Sequence, residues 1–592
     1  MIEEDTESVR SGTYSADLQP LDFDARSRVQ INDVTNFDHD QFEKYLVRPD
    51  YVKLLKKQAD CDILPFKRLF LAQELQLGGS SVTVSRFSKD GTLFCVGCKD
   101  GSLMVLKVLQ TKSEKLGISD AECEETGKRK IQYAPIFNEL DIVSLNSDEK
   151  VHREVLDLSW SVNHFLLVSS VDSYVTLWTP FDGNRPIMRF DHPDLVTSAK
   201  FIEADDRFFI SGCLDHCVRF WSVTDNRVEY SFNCEEPINV VTVSPGMSHF
   251  TVVGTFGGYI YVFSTMGLKL IDKFHIINGR SIDGNLRNGT DRIKITGIEW
   301  IVTDNRLDEI QEDNEYSTAR IVVTSGDERI RVFKLTEGGY HNLELKGFHC
   351  EQFRHRAQLC IWDDKPFIYC SSEDQWFYVW RLNYQDLMLT RATNEILYAS
   401  TTHRRRRTER ILGHTKEVTS SVLDMFFSTY AAADVEMGSN DKGMRHGQQQ
   451  SMTFSHESTV TQTMPIGQPT GSTTKSTIEE QREENYILRH SHTFSFHAHD
   501  HPITTVNIAP IGTIAAVTQS NDFIYEFTCR CYSNNVELRD VEMDSCDIIG
   551  PIVVTTDSVG KLRVFRTDLS DIARETLINV LHSAMETKQS TF

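Results

Sequence analysis

The sequence has no run of about eighteen consecutive apolar residues, so no membrane-spanning helix is expected. Its first residues, MIEEDTESVR, lack the apolar core of a signal peptide. Basic residues are in deficit. The 62 Lys and Arg against 85 Asp and Glu leave a formal net charge of −23, which argues against nucleic acid as a partner. There is no phosphate-binding loop of the G-x-x-x-x-G-K type and no G-x-S-x-G elbow, which removes two common enzyme classes. The 13 cysteines are an odd number scattered without a framework, as expected in a reducing compartment. What remains is a long chain of 592 residues, too long for one ordinary core, for which several domains or a repeat array are expected.

The stretch FFISGCLDHCVRFW, Phe208 to Trp221, crowds Cys213, Asp215, His216 and Cys217 together like a metal site. Its pattern recurs in FLLVSSVDSYVTLW and FIYCSSEDQWFYVW, where an apolar run leads to a small residue, an Asp and an aromatic six places on. The pairs are Asp172 with Trp178, Asp215 with Trp221 and Asp374 with Trp380. Looser copies pair Asp327 with Phe333, Gly257 with Phe263 and Asp100 with Leu106. In a seventh, Asp557 and Phe565 stand two residues further apart. Alternating β-branched and aromatic residues around such a turn describe a β-hairpin. A further apolar strand precedes most copies and a short one follows, giving four-stranded units.

Four-stranded units repeated around a ring make an all-β, seven-bladed β-propeller with long, partly disordered insertions. The repeats match the WD-repeat signature, with His152 and His192 in its His position. The matching residues resemble that family's structural hydrogen-bond tetrad and are braces rather than catalysts. The blades are expected at about 78–109, 151–190, 192–235, 236–275, 294–345, 354–383 and 501–567, within a propeller spanning 66–567. IAAVTQSNDFIYEF, 514–527, is either an eighth hairpin or part of an insertion over 511–551, the reading preferred. FKRLFLAQELQL, 66–77, has a helical spacing, but its place before blade one favours an outer strand for blade seven that closes the ring. Residues 1–65 are expected to be a mostly disordered arm, 384–500 a largely disordered insertion between blades six and seven, and 568–592 a C-terminal tail.

Other motifs carry weaker chemistry. The thiols of CVGC, 95–98, lie three apart on a strand and face opposite ways. CRC, 529–531, would place both thiols on one face if extended, with no second pair. HSHTFSFHAHDH, 490–501, has five histidines but ends at the His position before blade seven. No metal and no cofactor is expected, nor a small-molecule substrate, and no polar pocket is advertised for the central channel. Arg404, Arg405, Arg406 and Arg407 are either a contact for an anionic partner or lipid, or a solvated charge run.

LFLAQEL ahead of blade one, HREVLDLSWSVNHFLLVSSVDSYVTLW, VVGTFGGYIYVF, KITGIEW and FRHRAQLCIWDDKPFIYCSSEDQWFYVW resemble the Rab-GTPase-binding WD-repeat proteins (rabphilin-like endosomal effectors), the fungal members most closely. The resemblance covers about 66–566. It implies a non-enzymatic protein-binding scaffold in vesicle traffic or at membrane contact sites, partnered by a small GTPase or membrane-associated proteins. It also implies a cytoplasmic location, peripheral to endosomal, Golgi or endoplasmic-reticulum membranes. The alternative is a substrate-receptor or peptide-reading propeller of a ubiquitin ligase or other regulatory complex.

Overall fold

The apolar runs on either side of each turn pair as antiparallel strands, and seven sheets result. The computed structural model describes residues 49–56, 66–110, 134–138, 142–145, 153–181, 185–277, 293–301, 319–335, 341–362, 365–382, 488–520, 522–534 and 548–579. The chain divides into two compact units, Met1–Ala392 with Ile487–Phe592 and Thr393–Tyr486, and every described residue lies in the first.

Blade three shows the plan. Val196–Phe201, Phe208–Cys213, Cys217–Ser222 and Arg227–Asn233 pair in chain order. The first strands of the other blades are Val82–Phe87, Val155–Trp160, Ile238–Val243, Ile295–Ile301, Gln358–Trp362 and Ile503–Ile508. Neighbouring blades touch all the way round, and Ile503–Ile508 packs against Val82–Phe87 to close the ring. The molecule is a seven-bladed β-propeller. Closure comes from the outer strand of blade seven, Leu69–Gln76, which pairs with Lys561–Thr567. The strand reading of this segment therefore holds over the helical one, and the ring is sealed by chain from its two ends.

A bulge repeats in six of the seven first strands, after Val82, Val155, Val196, Ile238, Ile295 and Ile503. It takes the second residue out of the ladder. In blades one, three and four that residue then reaches the next blade. Thr83 Oγ1 donates to Val155 O (2.6 Å), Thr197 Oγ1 to Ile238 O (2.8 Å) and Asn239 Nδ2 to Ile295 O (2.6 Å). The bulge is thus a seam between blades. It requires close approach: a Cβ on Gly212 would stand 2.5 Å from Ile238 Cγ2.

Three expectations change. Residues 511–551 do interrupt blade seven, but IAAVTQSNDFIYEF is helical, in α1 (Ile511–Gln519) and α2 (Phe523–Asn534). CRC accordingly lies on α2, not on an extended strand. The long insertion lies inside blade six rather than after it, because Phe494–His497 is that blade's fourth strand. Leu488–Ser491 adds a parallel fifth strand to blade five. Leu55–Lys56, from the N-terminal arm, pairs with Phe494–Ser495 on the rim of blade six. Past blade seven, 571–579 is helical. Leu569, Ala573 and Leu577 pack there with Phe523, Ile524 and Phe527 of α2 against Phe70 of the closing strand. Residues 1–48 and 57–65 of the N-terminal arm and most of 384–500 lie outside the described residues.

Candidate functional site

The first strands line the central channel, and their third and fifth residues face one another across it. Fifth positions carry Arg86, Ser159, Lys200, Thr242, Glu299 and Asn507. Into this ring the segment before blade six sends two arginines. Arg354 donates to Thr197 O (3.2 Å) and Asn239 O, carbonyls of two bulge residues in neighbouring blades. Arg356 donates to Asp157 Oδ1 (2.8 Å) in blade two. It crosses over Gly297, where any Cβ would lie 3.0 Å from Arg356 Cα, Cβ and Cγ. The two arginines plug the channel.

Below the plug lies a cleft of about 310 Å³, lined by Arg86, Lys200, Glu299, Trp160, Trp300 and Arg356 among others. First strands run the same way in every blade, so this mouth is ringed by the loops between first and second strands. Asp157, wholly buried, holds the wall together. Besides Arg356 it binds Lys200 Nζ (2.8 Å to Oδ2) and Ser198 Oγ (2.5 Å). Burial opposes its ionisation, but Arg356, Lys200 and Arg86 outweigh that and hold the carboxyl well below its usual range. Burial drives Lys200 down to about 7, Asp157 pulling it up and Arg86 and Arg356 pushing it further down. Burial raises Glu299.

The brace residues sit at the opposite end. His192 Nδ1 meets Phe190 O (3.0 Å) and its Nε2 meets Ser211 Oγ (2.8 Å), which also accepts from Trp221 Nε1 (3.0 Å). His499 pairs likewise with Thr555 Oγ1 (2.8 Å) and Asp557 Oδ2 (3.2 Å), and His355 Nδ1 with Ser371 Oγ (2.8 Å). The turn aspartates hold turns more than histidines. Asp215 accepts from Cys217 N (3.0 Å) and pairs with Arg219; Asp327 pairs with Arg331; Asp374 accepts from Trp376 N (3.2 Å) and Tyr378 Oη (2.5 Å). Asp172 binds Arg153 (2.8 Å) and Ser170 Oγ (2.8 Å). Trp178 Nε1 donates to Thr176 Oγ1 (2.8 Å) and Trp380 Nε1 to Lys346 O (3.3 Å), while Phe333 is buried between blades four and five.

Comparison with known proteins agrees with this geometry. The family described as WD domain, G-beta repeat matches residues 184–222, which enclose the His192–Ser211–Trp221 chain. The "2-deoxy-glucose resistant protein 2" of Saccharomyces cerevisiae is 30% identical over 92% of this chain and 68% of its own length. The chain belongs to the WD-repeat family. "WD repeat-containing protein 44" of Xenopus laevis is 33% identical over 40% of this WD-repeat protein and 23% of its own length. An uncharacterized WD repeat-containing protein of Schizosaccharomyces pombe is 27% identical over 51% and 48%. WD-repeat propellers are typically non-catalytic interaction scaffolds, and none of these names denotes an enzyme.

Within this WD-repeat protein, Asp557 is out of the expected register. The left-handed turn residue is Gly101, His216, Gly258, Glu328 or Gln375 in other blades and Gly560 in blade seven. Counting back three places puts Asp557 in the slot of Cys213, not of Asp215. That is why Phe565 stood two residues too far. Its carboxylate still accepts from Val559 N and Lys561 N (both 2.9 Å).

Cys213 is buried, its thiol donating to Asp194 O (3.2 Å) and pushed up to about 12 by burial. Among the described residues the thiol and carboxylate groups that converge as metal ligands would are Cys350, His355 and Glu373. There Glu373 Oε1 already accepts the amides of Glu351 (2.7 Å), Gln352 (2.6 Å) and Phe353 (2.8 Å), so the cluster braces a loop. The channel cluster of Arg86, Asp157, Lys200, Glu299, Arg354 and Arg356 was missed from sequence, and so was the polar pocket. Its signal was charge at the fifth place of VTVSRF, VTSAKF and ITGIEW, where apolar first strands admit none without a purpose. His152 and Arg404–Arg407 lie outside the described residues.

Burial pushes His192 down from 6.5 to about 4. The folded state then binds the proton less readily than the unfolded chain. His192's contribution to stability is complete above pH 6.5 and is lost as pH falls toward 4, by about 3 kcal/mol. Denaturant unfolding of His192→Gln should show a flatter pH dependence over that interval than the parent.

Proposed function

We propose that this protein is a non-catalytic scaffold of membrane traffic or organelle contact sites, binding a Rab-type small GTPase or membrane-associated proteins on one end of the ring. The observation that carries the choice of end is the placement of its exposed apolar side chains. Val162, Phe181, Ile187, Met247, Met266 and Ile511 are 48% to 74% exposed. All six lie on connections between first and second or third and fourth strands, the end at which the cleft opens. Apolar side chains shared by one face of a closed ring are what a protein partner would bury. The extended resemblance over 66–566 supports the membrane-traffic assignment. No helix among the described residues is long and apolar enough to cross a membrane.

The test is retention of a panel of Rab-type GTPases by the full chain. Retention of the GTP-loaded form alone, lost in a Val162→Asp, Met247→Asp double variant of unchanged unfolding midpoint, is the expected result. Equal retention of the GDP-loaded form counts against GTPase binding. Recovery of cullin-adaptor components without membrane-associated proteins from lysate would replace the scaffold reading with that of a ligase receptor.

A further inference from the structure

We propose that the channel cleft is a binding site for a single oxyanion, a phosphate or carboxylate group, received by Arg86 opposite the Arg356 plug. The inference goes beyond the scaffold reading and does not depend on which proteins gather on the face.

Four cations, Arg86, Lys200, Arg354 and Arg356, point into the channel region against two carboxylates, Asp157 and Glu299. Asp157 is shared by Lys200 and Arg356, and Arg354 is held by two carbonyls. Arg86 is left over. Its guanidinium makes no hydrogen bond and no ion pair with any described residue, although the side chain is half-buried on the cleft wall. Five N–H donors in fixed planar geometry line the cleft wall with no protein acceptor, a gap that a ligand can fill. An oxyanion does so bidentately.

Two other donors point the same way. Trp300, which lines the cleft, has a buried Nε1 with no partner among the described residues. Its counterpart in blade two, Trp160, donates the same atom to Arg86 O (3.2 Å). Glu299 also makes no hydrogen bond with a described residue, and burial moves it toward its neutral form, in which it donates. At the rim Lys89 is already paired with Glu203, so the selectivity comes from inside. The cleft's size, about 310 Å³, suits a phosphate or a side-chain carboxylate with the atoms carrying it.

The site also has a proton signature. Lys200 faces Asp157, Arg86, Arg356 and Glu299, and its ammonium donates to Leu158 O (3.1 Å). Burial, with Arg86 and Arg356 pressing in the same direction, holds the Lys200 ammonium down to about 7 against the pull of Asp157. An oxyanion beside Arg86 offsets that field, so binding at pH 7.5 takes up a proton.

The experiment is calorimetric titration of the full chain with inorganic phosphate and, separately, with a blocked tetraglutamate peptide, in two buffers of different ionisation enthalpy. One saturable site per chain, with net proton uptake, is expected. Arg86→Leu should weaken it at least tenfold without lowering the unfolding midpoint, since its guanidinium has no protein hydrogen bond to lose and its repulsion of Arg356 and Lys200 offsets its attraction for Glu299 and Asp157. Lys269→Gln, on the outer rim, should leave binding unchanged. Tighter binding of phosphate would make a free phosphate-type anion the source, and tighter binding of the peptide an acidic partner side chain. Titrations silent for both probes, or binding indifferent to Arg86→Leu, would overturn the proposal.

Discussion

Asp157→Asn is expected to lower the unfolding free energy by about 3–5 kcal/mol, the effect of removing one partner from a buried ionic cluster. Asp157 is fully buried, and both Lys200 and Arg356 depend on it. The amide keeps the shape but leaves Arg356 with half an acceptor, and Lys200, without the carboxylate that pulls it up, falls below about 7 and loses its charge. The sign with pH follows from the depressed carboxyl: the contribution is present above about pH 4, the ordinary aspartate range, and is lost only under strong acid. Parent and variant should therefore differ most near neutrality and converge as pH falls. Adding Lys200→Met to Asp157→Asn should recover part of the loss, because the second change removes a buried amine that has lost its carboxylate partner. A single variant as stable as the parent in denaturant titration at pH 7 would show that the cluster is not what holds blades two, three and six to the channel.

Deleting residues 66–76 is expected to have the larger effect still. The segment buries Phe66, Leu69, Phe70 and Leu75, each worth about 1.5–3 kcal/mol. Their sum, about 6–12 kcal/mol, is of the order of the whole net stability of a domain. It also strips the partner from Lys561–Thr567, exposing a strand edge seven residues long to other molecules. Loss of a sharp thermal transition and concentration-dependent aggregation are the expected readouts. The same segment supplied as a synthetic peptide should restore some of the transition. A truncated chain that unfolds sharply at the parent's midpoint would mean that the ring closes by other contacts.

Much of the architecture was legible because a propeller repeats its instructions. The Asp172, Asp215 and Asp374 turns and their tryptophans set the register of three blades, and the looser copies follow it. The His position could be read in blade three because a single histidine, His192, stands there. It could not be read among the five histidines of 490–501, where only the placement of Phe494–His497 in blade six shows that His499 is blade seven's brace. Helices α1 and α2 were hidden for a different reason. IAAVTQSNDFIYEF alternates as a hairpin would, and packing decides in favour of helix, α1 in one cluster with Leu75 and Leu77 and α2 in another with Phe70 and the helix at 571–579. The channel cluster was illegible as a cluster since its members come from blades one, two, three and five and the segment before six. Only closure of the ring brings them together.

The position of the long insertion has a practical consequence. Leu382 ends in blade six, and the chain returns through a strand on blade five and another on blade six. A cut anywhere in 383–487 therefore yields two pieces that share sheets. The first piece contributes three strands of blade six and the closing strand of blade seven. The second contributes the fourth strand of blade six and the three inner strands of blade seven. Neither piece can leave without opening ladders in blades five, six and seven at once, so the nicked protein should migrate as two bands under denaturing conditions and elute as one species under native ones. The ring is, in effect, a ready-made split protein.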